Sequence, residues 1–143
     1  MKKVNGDALD LVAKTGGFLF HQTNCQRVAG AGIALQIAER WPNWLYDFRS
    51  RDCVLGDVLI TQVAQNISIV SLYGQFGFGR GVRQTDYKAL DTALKRASAI
   101  VGSNNTPKYF PYKMACGVAG GKWEVVGPMI ALSFPDGMIV VKP

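Results

Sequence analysis

The stretch that most constrains this chain's fold is Gln22-Thr23-Asn24-Cys25-Gln26-Arg27-Val28-Ala29-Gly30-Ala31-Gly32-Ile33-Ala34. The apolar run Gly17-Phe18-Leu19-Phe20 precedes it and reads as a buried strand. Ile33 to Arg40 follows and reads as a helix. A strand, a glycine-bearing turn and a helix in succession leave backbone N–H groups unbonded at a helix N-terminus, where the helix dipole also favours an anion. Gly30 and Gly32 let backbone come close to a ligand. The stretch therefore reads either as a phosphate cradle or as a tight turn with no ligand.

The flanking segments alternate in the same way. Lys2-Lys3-Val4 predicts a first strand, and Ala8 to Lys14 a short helix. The helix from near Ala31 stops at Trp41-Pro42, because the residue before proline resists helical geometry. Pro42 then opens a second helix, Asn43 to Ser50. Asp57 to Val63 and Ile67 to Tyr73 are rich in β-branched residues and predict a hairpin turning at Gln65-Asn66. Gly74 to Gln84 is a glycine-rich loop carrying Phe76, Phe78, Arg80 and Arg83. Thr85 or Asp86 can cap a helix running to about Val101, with Tyr87, Leu90, Ala93, Leu94 and Ala97 at helical spacing. Tyr109 to Met114 predicts a strand. Ala115 to Gly121 is another glycine-rich loop, Trp123 to Phe134 the last helix, and Met138 to Val141 the last strand.

Strands that are mostly continuous apolar runs imply a sheet covered by helices on both faces. Ligands of such folds sit at the carboxyl ends of strands. The loops 22–32 and 115–121 each follow a strand and precede a helix, so they can grip one diphosphate together. The 143 residues are the length of a single domain, 1–143. With 48% hydrophobic and 18% charged residues the chain can bury a core, and no apolar run is long enough to span a bilayer. No apolar signal core follows Lys2-Lys3, and three scattered cysteines argue against a disulfide framework; both point to the cytoplasm. A net charge of +6 biases the chain toward anions. No metal or cofactor is expected, because the loops lack clustered carboxylates.

Four pieces together resemble the macrodomain family, the ADP-ribose-binding modules: Asn5-Gly6-Asp7-Ala8, His21 to Ala34, Trp41-Pro42, and Met114 to Glu124. The resemblance spans essentially the whole chain. It is nearest the branch holding the ADP-ribose 1″-phosphate phosphatase, the terminal ADP-ribose glycohydrolase and the DNA-ADP-ribosyl antitoxins, including small phage-type members. It implies a three-layer α/β/α fold around a mixed sheet of about six strands.

The resemblance also implies roles. Asp7, with Ala8, would read adenine; a turn or N-cap role is the alternative for Asp7. Asn24 would meet the distal ribose, unless it is simply a turn asparagine. Gly30, Gly32 and Ile33 would surround that ribose and its phosphate. Cys116 would line the second loop, and Gly117, Val118, Ala119, Gly120 and Gly121 would donate N–H groups to the diphosphate. Tyr73, Phe76 and Phe78 would wall the distal ribose.

The chain departs from the glycohydrolase pattern. It has no lysine in Gly74 to Arg80, where Arg80 is the nearest cation, and no aspartate at Ala119. The remaining candidate is His21, the only histidine, which the phosphatase also carries. It would serve as general acid or base on a terminal phosphate with Asn24, or else pack along its strand. A Cys25–His21 nucleophile pair is too widely spaced. The leading expectation is thus a monomer that binds ADP-ribose and hydrolyses ADP-ribose 1″-phosphate. Alternatives are a non-catalytic reader, a hydrolase acting on ADP-ribosylated protein or nucleic acid, and a single-strand nucleic-acid binder using Phe76 to Arg83.

Overall fold

In the computed structural model, which describes residues 1–79 and 81–143, six strands and five helices alternate. Arg80, the cation singled out in the glycine-rich loop, lies outside the described residues. The elements are β1 (Lys2–Asn5), α1 (Ala8–Thr15), β2 (Gly17–Asn24), α2 (Gly32–Arg40), α3 (Pro42–Ser50), β3 (Val58–Ala64), β4 (Ile67–Gln75), α4 (Tyr87–Val101), β5 (Lys108–Pro111), α5 (Trp123–Ser133) and β6 (Met138–Val141).

The strands form one sheet in the order β1-β6-β5-β2-β4-β3. All neighbours are parallel except the β3–β4 hairpin, so the sheet is mixed. Its central strands β2 and β4 are buried on both sides, and two cores result. On one face α1, α2 and α3 pack Val12, Ile37, Trp44 and Phe48 against Leu19, Ile69 and Tyr73. On the other, α4 and α5 pack Leu90, Leu94, Val126 and Ile130 against Phe20, Val70 and Phe110. Phe20 stacks on Phe110 at 4.1 Å and meets Phe134 edge-on at 4.8 Å. Truncating such a ring to alanine costs about 3–5 kcal/mol.

Helix ends follow local chemistry. Asp86, not Thr85, caps α4, accepting from the Ala89 amide at 3.0 Å. Gly16 closes α1 at φ 73°, where a side chain would press on the Asn66 carbonyl at 2.9 Å.

One strand expectation is corrected. β5 stops at Pro111 rather than running to Met114. The Tyr112 amide still bonds the Val140 carbonyl at 2.8 Å, but Lys113 and Ala115 turn into left-handed backbone at φ 62° and 67°. No helix among the described residues is long and apolar enough to cross a membrane.

Candidate functional site

β2 and β5 lie side by side and parallel, yet the chain leaves them toward opposite faces. After β2 it enters α2 on the α1–α3 face; after β5 it enters α5 on the other. Two loops that diverge from adjacent strands open a crevice at the carboxyl rim of the sheet. β1 runs parallel to β6, β5 and β2, so Asp7, just past its end, stands on the same rim.

The loop after β2 is built by Asn24. Its buried Oδ1 accepts from the amides of Gln26 and Val28, both at 3.1 Å, and its Nδ2 donates to the Val28 carbonyl at 2.9 Å. These bonds hold Arg27 at φ 62°. Asn24 is therefore the turn asparagine of the alternative reading, with its oxygen already committed. The loop ends at Ala31, which caps α2 with no side-chain hydrogen bond. Amides 29–34 have no partner among the described residues. Gly30 and Gly32 face open space; a methyl at either would meet nothing within 4 Å.

The loop after β5 is tied to itself. Cys116 N–H bonds Lys113 O at 2.9 Å, Gly120 N–H bonds Gly117 O at 3.0 Å, and Gly121 N–H bonds Ala115 O at 2.9 Å. Gly120 and Gly121, expected as donors to a ligand, thus spend their amides inside the loop. The amides of Gly117, Val118 and Ala119 remain uncommitted among the described residues. Left-handed backbone at a residue with a side chain costs about 1–3 kcal/mol and tends to persist at functional sites. Among the described residues only Arg27, Lys113 and Ala115 carry it outside glycine, and all three sit in these two loops.

The segment between β4 and α4 is pinned to the second loop at Gln84 and Thr85. Gln84 and Thr85 amides donate to the Ala119 carbonyl at 2.8 and 3.1 Å, and Thr85 Oγ1 donates to the Ala115 carbonyl at 2.8 Å. Gln22 Nε2, near the end of β2, donates to Thr85 Oγ1 at 2.9 Å and Gln75 Oε1 at 2.8 Å. Sequence reasoning assigned no site role to Gln22 and Gln75, and offered Thr85 only as a helix cap. The one signal was a glutamine amid the buried run of β2. Phe76 and Phe78 of this segment are 62% and 56% exposed, and Val118 of the loop after β5 is 50% exposed.

Asp7 caps α1, its Oδ1 accepting from the amides of Leu9 at 2.9 Å and Asp10 at 3.1 Å. Its Oδ2 lies 3.3 Å from Lys142 Nζ. Partial burial pushes the carboxyl up, but the Asp10 amide, Lys142 and the Leu9 amide outweigh it and the net pKa is lowered. A hollow of about 400 Å³ beside it is lined by Leu9, Asp10, Gln36, Glu39 and Arg40. Ala8, the first residue of α1, is buried. A larger hollow, about 570 Å³, opens at the opposite rim around Gly16, Asn66 and Pro107. None of its lining residues is charged.

Two expected site residues lie elsewhere. His21 is fully buried beneath the rim. Its Nε2 is 2.7 Å from Ser71 Oγ, which also accepts from Trp44 Nε1 at 3.1 Å, and its ring meets Trp44 edge-on at 5.3 Å. Burial lowers its pKa to about 4. A ring so enclosed cannot reach a substrate in this conformation, so His21 is a core residue. Tyr73 is likewise fully buried, its ring stacked 6.3 Å from Phe48, and burial with the neighbouring Cys53 raises its pKa. It supports the floor from the α3 side and does not wall the crevice. Cys116 and Ile33 are half-buried in their loops.

The molecule is thus a three-layer α/β protein with two loops of unbonded amides at a topological switch point. The fold is that of the macrodomains. No family model and no curated protein matches the sequence. Among solved structures, a protein from Bacteroides thetaiotaomicron superposes with TM-score 0.86 at 21% identity, over 100% of this chain and 99% of that one. A Streptomyces coelicolor macrodomain protein gives 0.74 at 26% identity, over 99% and 97%. Thermosipho africanus DarTG, in complex with ADP-ribose, gives 0.73 at 14% identity; this chain spans 42% of its length.

Proposed function

We propose that the crevice binds ADP-ribose. Asp7 takes the adenine amino group on Oδ2, the diphosphate lies across the amides of Gly117, Val118 and Ala119, and the distal ribose meets Gly30, Gly32 and Ile33 beside Phe76. The observation that carries this reading is the pair of adjacent loops whose amides stay unbonded at one switch point. Backbone donors arranged in a concave loop hold a diphosphate without any cationic side chain. The ADP-ribose complex of a protein with this fold supports the same assignment.

Binding without turnover is favoured over hydrolysis of ADP-ribose 1″-phosphate. Residues 25–31 and 115–121 contain no Asp, Glu or His. His21, which would have supplied the acid or base, is enclosed by Ser71 and Trp44. General acid–base catalysis needs the group within hydrogen-bond reach of the proton it moves. A terminal phosphate still fits at the start of α2, so ADP-ribose 1″-phosphate is a ligand of the same site. Calorimetry with ADP-ribose, together with phosphate release from ADP-ribose 1″-phosphate, tests both readings. Saturable binding with no phosphate released is expected. Release that disappears in His21→Phe would restore the phosphatase, and absence of binding would remove the site.

A further inference from the structure

Two cation-bearing tyrosines flank the start of α5. On one side Lys3 Nζ and Lys113 Nζ lie 5.8 and 5.6 Å from the centre of the Tyr112 ring, which meets Trp123 edge-on at 5.1 Å. On the other side the Arg83 guanidinium lies 4.4 Å over Tyr87, whose hydroxyl accepts the Lys122 amide at 3.0 Å. Lys3, Arg83, Lys113 and Lys122 are all exposed, and none has an acidic partner among the described residues. Asp86, which caps α4 through the Ala89 amide, and Glu124, in the first turn of α5, both keep their negative charge, and neither forms an ion pair with these cations among the described residues. Elsewhere the cations are mostly neutralised in pairs such as Arg27–Asp52, Arg40–Asp10 and Lys95–Asp91.

We propose that this collar of Lys3, Tyr112, Lys113, Lys122, Arg83 and Tyr87 is a binding surface for single-stranded nucleic acid. Four uncompensated cations suit a chain of phosphates. The tyrosines decide between polyanions. An exposed ammonium over a ring holds it less strongly than a stacked base does. A strand therefore displaces the lysines from the Tyr112 face onto its phosphates, and a base takes the face. An acidic peptide would use the cations and leave the rings idle. The collar surrounds the loop after β5 but shares none of its unbonded amides, so the proposal stands whether or not the crevice holds ADP-ribose.

Fluorescence anisotropy with labelled oligo-dT and oligo-U about a dozen nucleotides long tests this, since site sizes for such surfaces run to about 4–16 nucleotides. Binding should weaken with salt, by about 0.7 in log–log slope for each phosphate neutralised. Lys3→Gln with Lys113→Gln should lower affinity about tenfold and make the slope shallower by about one to one and a half. Tyr112→Ala should lower affinity about fivefold or more with the slope unchanged, and Tyr112→Phe should restore it. Lys14→Gln with Lys95→Gln removes the same charge away from the collar and should change affinity little. Equal losses in the two lysine pairs would reduce the effect to net charge and overturn the proposal. Poly-glutamate binding as tightly as the oligonucleotides, or no effect of Tyr112→Ala, would assign the surface to an acidic protein instead.

Discussion

The hydroxyl of Thr85 donates to the carbonyl of Ala115 across 2.8 Å and accepts from Gln22 Nε2 at 2.9 Å. One buried side chain thus joins β2, the segment after β4 and the loop after β5. Ala115 is held at φ 67°, and the bond to its carbonyl helps fix that strained turn. Thr85→Val keeps the shape and removes both bonds, leaving the Ala115 carbonyl with the Gly121 amide alone and one buried N–H of Gln22 Nε2 without an acceptor. Such a loss costs about 1–3 kcal/mol. Urea denaturation should show this, and ADP-ribose affinity should fall further than stability alone explains, because the Gly117–Ala119 amides lose their alignment. Thr85→Ser should behave as wild type in both measurements.

Two glycines of the same loop separate space from strain. A methyl on Gly117 would meet nothing within 4 Å, whereas one on Gly121 would sit 2.5 Å from the Ala115 carbonyl oxygen. Gly117→Ala should leave stability within about 0.5 kcal/mol of wild type, while its methyl occupies the place of the diphosphate. A tenfold loss of affinity corresponds to about 1.4 kcal/mol and is the minimum expected. Gly121→Ala should lower the melting temperature as well. Calorimetry and thermal melts on the two variants check the contrast; Gly117→Ala binding ADP-ribose normally would move the diphosphate elsewhere.

The α/β alternation was legible because β2, β4 and β6 carry short apolar runs beside glycine, and each long helix shows its own spacing. The order β1-β6-β5-β2-β4-β3 was not, since pairing between residues such as Phe18 and Lys108 depends on chain separated by some ninety positions. Gly30 and Gly32 announced an open turn by their type. Which amides stay free could not be read, because Gly120 and Gly121 look like donors in sequence and bond within the loop in space. His21 and Tyr73 misled for one reason. Side chains alternate along a strand, and being near its carboxyl end does not say which face a residue takes. Both point to the α1–α3 side, beneath Trp44 and Phe48.

Asp7 holds two jobs on two oxygens, capping α1 with Oδ1 and leaving Oδ2 toward Lys142. Asparagine is as good an N-cap as aspartate, so Asp7→Asn should keep the helix. The exposed contact with Lys142 contributes about 0–1 kcal/mol at most. The new amide would present N–H to adenine, which also offers N–H there. Affinity for ADP-ribose should fall about tenfold or more, the loss of one hydrogen bond to a charged group being about 1.5–3 kcal/mol. The preference for ADP-ribose over its inosine analogue, which lacks the amino group, should shrink with it. An unchanged preference in competition calorimetry would reduce Asp7 to a cap.

His21 makes the fold acid-sensitive above the range where carboxylates titrate. Burial lowers its folded pKa from 6.5 to about 4, so between those values the unfolded chain carries the extra proton. Stability therefore rises with pH across that window and is lost on acidification. The full effect is roughly 3 kcal/mol, of which about 2 should be gone at pH 5. The lowered pKa of Asp7 acts in the same direction but below its ordinary value of 3.8, outside this window. Urea midpoints at pH 7, 6 and 5 should fall steadily in the wild type. His21→Gln cannot take up the proton, and its midpoints should stay nearly level over that range, even though the variant starts from a lower stability because the Ser71 contact is altered. Parallel slopes for the two proteins would mean that the acid response comes from another group.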